Sequence, residues 1–597
     1  MQIEGCQSIS QLFQRRAQQD SDRVALKEKD LGIWQSITWQ EYYQQAQNLG
    51  YQLLEWGIGR GDVISILSEN NKEWLYCDMA TVGIGAITSG VYPTDAPEQL
   101  LYLIRDSGSK ILFVEDEEQL DKYLEIKDQV PTLEHIIVFD WEGLRHFSDQ
   151  KVHKLSDVLQ SGAKLVKKWA DSWEQAIANS TPADPISLIY TSGTTGAPKG
   201  AMISHGNILC QIQLATQLYD FDDQDRQLSF LPLCHIAEKL FTTMIPLHSK
   251  SVIHFVEEQD TLFDNLAEVS PTVFFSVPRV WEKVYSKIVL IMKEATPTGR
   301  FFYQLAIKAN SHEQQTHGSL IKRAWAKLLQ AVVLRNIRIA IGMDQAKCAL
   351  TGAAPISVVL LDWLKALGVP IYEVYGQTES SGLATANMGE GAKAGFIGKA
   401  MESTKIKISE EGEILIKGGH VFQGYWGQEA KTAETIIDGW LYTGDLGEMD
   451  VNGFIKITGR KKDIIITSGG KNISPSEIET QIKASPFVAD AIVIGDQRKF
   501  LTCLVMIDEE NVENFANRKR LPFTDFKSLC QLEEVVALIQ AEITLANRKF
   551  SRVEQVKKFR LIDQRLNPED EELTPTMKLK RQVVESKYKK FIDQMYH

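Results

Sequence analysis

At 597 residues, with 65 Lys or Arg against 78 Asp or Glu and a formal charge of −13, the chain is too long for one core and too acidic for a general nucleic-acid binder. Its 44% apolar content includes no uninterrupted run long enough to span a bilayer. Seven cysteines without one C-x-x-C pair argue against a disulfide framework and a zinc site, so reduced thiols are expected.

In chain order, "MQIEGCQSISQLFQRR" lacks a basic start followed by an apolar segment, so it does not read as a secretory signal and the expected location is the cytoplasm. "SITWQEYYQQAQNLGYQLLEWGI" has apolar spacing for an amphipathic helix that opens after Thr38 and closes at Gly57. "GDVISILS", "ILFVED", "HIIVFD", "SLIYTSG" and "SVIHFV" read as short buried strands, each ending in a polar or glycine-rich turn. Strands alternating with helices predict an α/β fold: a large N-terminal domain of helix-covered, mostly parallel sheets, with ligands at the carboxyl ends of strands. Beyond Gly395 the pattern shifts to period two in "TKIKISEEGEILIKGG" and "GFIKITGR", which predicts a β-rich subdomain over about residues 396–459. "TGRKKDIIITSGGKNISPSEIE" then places charges and glycines before a helix start at Ser474, Pro475 and Glu477. The expected division is 1–460 for the large domain and 461–597 for a small mobile α+β domain.

"YTSGTTGAPKG", residues 190–200, combines glycines that permit close backbone approach with hydroxyls and a lysine, the chemistry of a phosphate cradle. It is not a Walker loop, because Lys199 is followed by Gly200 rather than a hydroxyl residue. Five more stretches follow: "TGAAP", "YGQTES", "YTGDLG", "TGRKKD" and "TPTMKLKR". Six such stretches in this order, over nearly the whole chain, resemble the acyl-adenylate-forming superfamily of acyl-CoA synthetases, firefly luciferases and peptide-synthetase adenylation domains. Met577 before the lysine of "TPTMKLKR" and the stretch "SVPRVWEKVY" are similar to its long-chain acyl-CoA synthetases, of bubblegum-type or bacterial kind.

The resemblance implies roles for individual residues. Thr191, Ser192, Gly193, Thr194, Thr195 and Lys199 would hold the β,γ-phosphates of ATP, and Glu379, with Thr191, would bind Mg²⁺. Tyr375, with Gly376 beside it, would stack on adenine while Gly352, Ala353 and Ala354 line the base. Thr378 would reach the α-phosphate, and Asp445 and Arg460 the ribose. Lys462 would be a hinge, Lys578 the lysine bridging carboxylate and α-phosphate, and His235 in "LPLCHIAEK" a neighbour of the reacting carboxylate or of the incoming thiol. The implied reaction joins a long-chain fatty acid to CoA through acyl-AMP, with ATP and CoA as co-substrates. Two rivals are a ligase that loads the acyl group onto a separate carrier protein and a non-catalytic acyl or nucleotide sensor.

Residues 286–342 carry nine Lys or Arg against Glu294 and Glu313, a local +7 in a chain of −13. Apolar runs such as "FFYQLAI" and "WAKLLQAVVL" lie beside these cations at helical spacing, so peripheral contact with the inner face of a membrane is expected of this segment.

Overall fold

A computed structural model describes residues 2–191, 197–311, 320–389, 391–566, 572 and 580–596. The first predicted helix forms over Trp39–Glu55. Its start is set locally: Thr38 Oγ1 accepts from the Glu41 amide at 3.2 Å while the Glu41 carboxylate accepts from the Thr38 amide at 2.8 Å.

The central sheet has seven strands, in the spatial order Val152–Lys154, His135–Val138, Ile111–Val114, Val63–Leu67, Ile87–Val91, Pro185–Thr191, Lys199–Ser204. All neighbours are parallel except the last pair, which runs antiparallel. The strands Val63–Leu67 and Ile87–Val91 are buried at every position, as expected for a sheet covered on both faces. A second sheet runs Val273–Ser276, Cys348–Thr351, Ile371–Gln377, Gly382–Ala386 and Lys399–Ala400; its first three strands are parallel. A third joins Arg226–Ser229, Val252–Phe255, Val24–Asp30 and Ile33–Thr38. The fold is therefore α/β with parallel-containing sheets, as expected.

Antiparallel pairing takes over at Lys405–Ile408, Glu413–Lys417, Trp440–Met449 and Ile455–Arg460. One detail departs from the period-two reading: Lys399–Ala400 pairs with Thr385–Ala386 and so extends the second sheet, not the β-rich one. From residue 465 onward the chain builds two hydrophobic clusters of its own, one around Ile478, Val505 and Ile539 and one around Leu504, Val584 and Ile592. The helix Pro475–Lys483 begins where expected, with Ser474 at its N-cap and Glu477 in its first turn; the Ser474 hydroxyl makes no cap bond, and Pro475 at the first position removes one amide that would need a partner. Arg279 Nη1 donates to the Ala489 carbonyl at 2.9 Å, tying the second sheet's layer to these last residues. All seven cysteines are unpaired and buried.

Candidate active site

The carboxyl ends of parallel strands in two sheets open onto one cavity of about 1770 Å³. Gly90 and Tyr92, Tyr190 and Thr191 come from the central sheet; Phe275, Thr351 and Val374 to Gln377 come from the second. Arg460, Ser474, Glu477, Lys580 and Arg581 close it from the other side. Every described residue of the predicted set lines this space: Thr191, Lys199, His235, Gly352, Ala353, Ala354, Tyr375, Gly376, Thr378, Glu379, Asp445, Arg460 and Lys462. Ser192, Gly193, Thr194, Thr195 and Lys578 lie outside the described residues.

Strand register explains how the base of the phosphate-cradle loop is set. Thr191 sits opposite Lys199, and Tyr190 opposite Gly200. Two hydroxyls hold this base: Tyr190 donates to Asp106 at 2.8 Å and Tyr102 donates to the Pro198 carbonyl at 2.8 Å. Lys199 Nζ lies 4.8 Å over the Tyr425 ring, a cation–π arrangement. Burial, and then the charges of Lys431 and Lys462, push the Lys199 pKa down. Lys431 and Lys462 thus face Lys199 across this wall, their charges offset in part by Glu379 and Glu434, and a polyphosphate would find three cations there.

Gly376 marks a bulge between the strands Ile371–Gln377 and Gly382–Ala386. A Cβ there would stand 1.6 Å from the Gly382 carbonyl oxygen, so only glycine permits this backbone approach. Nearby, Ala353 takes φ +66, an uncommon conformation for a residue with a side chain and a form of strain that concentrates at functional sites. Asp445, 3% exposed, accepts from Tyr375 Oη at 2.8 Å, Gln377 Nε2 at 2.6 Å and Arg460 Nε at 2.8 Å. The Asp445 charge in turn raises the Arg460 pKa. Glu379 Oε1 accepts from the Tyr425 hydroxyl at 2.8 Å.

His235 precedes a short helical turn, its Nδ1 accepting from the Ala237 amide at 3.3 Å. The following residues sort by chemistry. Ile236, Leu240 and Phe241 line the cavity, and Phe241 stacks on Phe275 with centroids 5.0 Å apart. Glu238 and Lys239 turn inward instead: Lys239 pairs with buried Asp78 at 2.7 Å, and Glu238 accepts from the Ser229 hydroxyl at 2.7 Å. The backbone is π-helical over Lys239–Met244, a widened turn common beside functional sites.

A family profile described as AMP-binding enzyme matches residues 13–426, and one described as AMP-binding enzyme C-terminal domain matches 462–597. The chain belongs to the AMP-binding enzyme family. This AMP-binding enzyme is 33% identical over 584 residues to the long-chain-fatty-acid–CoA ligase FadD15 of Mycobacterium bovis, covering 97% of this chain and 95% of that one. It is 33% identical over 622 residues to the long-chain-fatty-acid–CoA ligase ACSBG2 of Xenopus laevis, with 99% and 84% covered. The o-succinylbenzoate coenzyme A synthetase of Bacillus subtilis, solved with ATP and magnesium, shares the fold at TM-score 0.68 and 21% identity, with 96% and 98% covered.

The residues of this AMP-binding enzyme fit the groups that the family's chemistry implies. Glu379 and Thr191 are hard oxygen donors of the kind Mg²⁺ takes, and both line the cavity together with Lys199. Sequence reasoning missed Tyr425, which touches both Glu379 and Lys199; no local pattern singles it out. It also passed over Gln377, although that residue stands inside "YGQTES". Asp95 is a third: burial pushes this cavity-wall carboxyl up to about 7, facing the Tyr92 backbone and the charges of Lys122 and Lys580. Among the described residues of the "TPTMKLKR" stretch, Lys580 and Arg581 reach the cavity.

Proposed function

We propose that this enzyme is an AMP-forming long-chain fatty acid–CoA ligase. The observation that carries the reading is the convergence of every described predicted residue on one cavity that also holds an apolar wall of Leu240, Phe241 and Phe275. A fatty acid carboxylate placed against that wall would attack the α-phosphorus of ATP, forming acyl-AMP and releasing pyrophosphate. The CoA thiolate would then attack the acyl carbonyl and expel AMP. Mg²⁺ bound at Glu379 and Thr191 would neutralise charge on the phosphates.

Within this scheme Lys199 and the hydroxyls of residues 191–195 hold the leaving pyrophosphate, and Thr378 orients the α-phosphate. Asp445 accepts the ribose hydroxyls, with Arg460 beside it. Tyr375, Gly376 and Gly352 to Ala354 form the adenine wall. Lys578 screens the approach of one anion to another, and His235 neighbours the reacting carboxylate or the approach of the thiol. Lys462 follows the turn at Arg460, whose carbonyl accepts from the Asp463 amide at 3.0 Å, and serves as the hinge of the C-terminal residues. Because a long-chain fatty acid partitions into bilayers, the enzyme gains by docking on a lipid surface, and the basic and apolar residues of 286–342 supply that contact. Pyrophosphate release with palmitate, measured with and without CoA, tests the reading: CoA-dependent turnover supports it, release without any thioester favours carrier loading, and no release rejects catalysis.

Two variants resolve the roles further. Glu379→Gln removes a charged oxygen ligand, so half-maximal activity should require about tenfold more Mg²⁺; an unchanged Mg²⁺ titration rejects the ligand role. Lys462→Pro locks φ at the turn and restricts Lys461 before it, so one of two required backbone states is lost. Single-turnover pyrophosphate release should persist while thioester formation drops by about tenfold or more. Equal loss of both half-reactions removes Lys462 from the hinge.

A further inference from the structure

The helix Leu320–Leu329 and the π-helical turn Gln330–Leu334 that continues it carry two apolar faces, and the core uses only one. Leu329 and Leu334 are buried in the cluster that contains Trp281, Val284 and Ala306. On the other side Ile321, Trp325, Leu328 and Val332 are exposed by 83, 52, 51 and 64%. Their separations of four, three and four residues place them along one side of the helix. The neighbouring helix Pro297–Ala309 packs alongside and leaves Phe301 and Phe302 exposed as well. Internal packing therefore accounts for one apolar periodicity and leaves a second, outward one that water alone does not favour.

The same helices expose cations beside this ridge. Arg300, Lys308, Lys322, Arg323, Lys327 and Arg335 are all exposed. The apolar spacing alone would also suit a helix of a second copy. Charge decides between these occupants: a second copy would set +7 against +7, whereas an anionic surface complements it. An acidic partner protein would satisfy the cations, but the ridge presents apolar side chains outward on a convex helix rather than in a groove, the geometry of insertion between lipid headgroups.

We propose that Ile321, Trp325, Leu328 and Val332 form an insertion ridge that docks this enzyme on an anionic lipid bilayer, with the flanking Lys and Arg residues holding the headgroups. This rests on the reading of residues 286–342 as a membrane contact and assigns its two components to separate residues. Electrostatic attraction draws the helix to the surface and weakens with salt; burial of the ridge in the acyl boundary persists when salt is high.

The test is co-sedimentation of the full chain with phosphatidylcholine vesicles that contain or lack phosphatidylglycerol, at low and high salt. The native protein should pellet with the anionic vesicles at low salt. Combined Lys322→Glu, Arg323→Glu and Lys327→Glu should lower the partition coefficient by on the order of a hundredfold and abolish its salt dependence. Combined Ile321→Ser, Leu328→Ser and Val332→Ser should lower it by about tenfold or more while leaving the salt dependence in place. Pyrophosphate release from detergent-dispersed fatty acid, without vesicles, should be unchanged in both variants, which reports that they are folded. Absence of pelleting at low salt, or binding indifferent to the serine set, overturns the proposal. So does a dimer, seen by sedimentation velocity without vesicles, that the serine set converts to monomer. Vesicle binding by a protein that releases no pyrophosphate would reject the catalytic reading and leave the docking ridge standing.

Discussion

Lys578→Ala is expected to slow acyl-AMP formation by about a hundredfold or more while sparing thioester formation from supplied acyl-AMP and CoA. The first half-reaction brings a carboxylate onto a phosphate, so two like charges must be screened at the moment of attack. The second brings a thiolate onto an acyl carbonyl with AMP already attached, and the same cation is no longer needed between the reacting groups. Measuring the two half-reactions separately decides the matter, and equal loss in both removes the assignment. Lys580 supplies the informative control, because it lines the cavity two positions along the same stretch. Lys580→Ala is expected to leave the first half-reaction within about tenfold of native, since its charge stands beside Asp95.

Asp445→Ala should produce the second large effect, on ATP binding and on stability together. Its carboxylate receives the Tyr375 hydroxyl, the Gln377 amide and the Arg460 guanidinium at 2.8, 2.6 and 2.8 Å. Truncation leaves a buried hydroxyl and an amide without that acceptor, at a cost of about 1–3 kcal/mol. The guanidinium is half exposed and keeps access to water, so its share of the loss is small. Loss of the ribose acceptor should raise the KM for ATP by on the order of a hundredfold, as two hydrogen bonds to a charged group would supply. Asp445→Asn separates the two effects: it keeps an acceptor for Tyr375 and much of the stability, but donates through its nitrogen and loses the charge facing Arg460. A lower melting point in Asp445→Ala with an unchanged KM for ATP would assign Asp445 a purely structural part.

Much of the chemistry is legible along the chain because it depends on short spacings. Thr38 opens a helix, and Glu41 three residues on completes its cap. The quoted stretches, likewise, need only a few consecutive residues each to present hydroxyls, acids and cations at fixed offsets. Their convergence is a different matter. Thr191 and Arg460 stand 269 positions apart in sequence yet line one cavity, because Thr191 ends a strand of the central sheet while Arg460 ends an antiparallel strand of the β-rich sheet that closes the cavity from the other side.

The sequence by itself determined the element types, the α/β class, and the chemical character of each stretch, since these follow from backbone geometry and residue spacing within a few turns or strands. Only the tertiary structure decided that Tyr425 lies against both Glu379 and Lys199, that Glu238 and Lys239 turn away from the cavity that Phe241 enters, and that Leu329 faces a core while Leu328 faces out. An apolar periodicity records that a helix has an apolar face; which neighbour covers that face depends on contacts between residues far apart in the chain, and no local spacing carries that information.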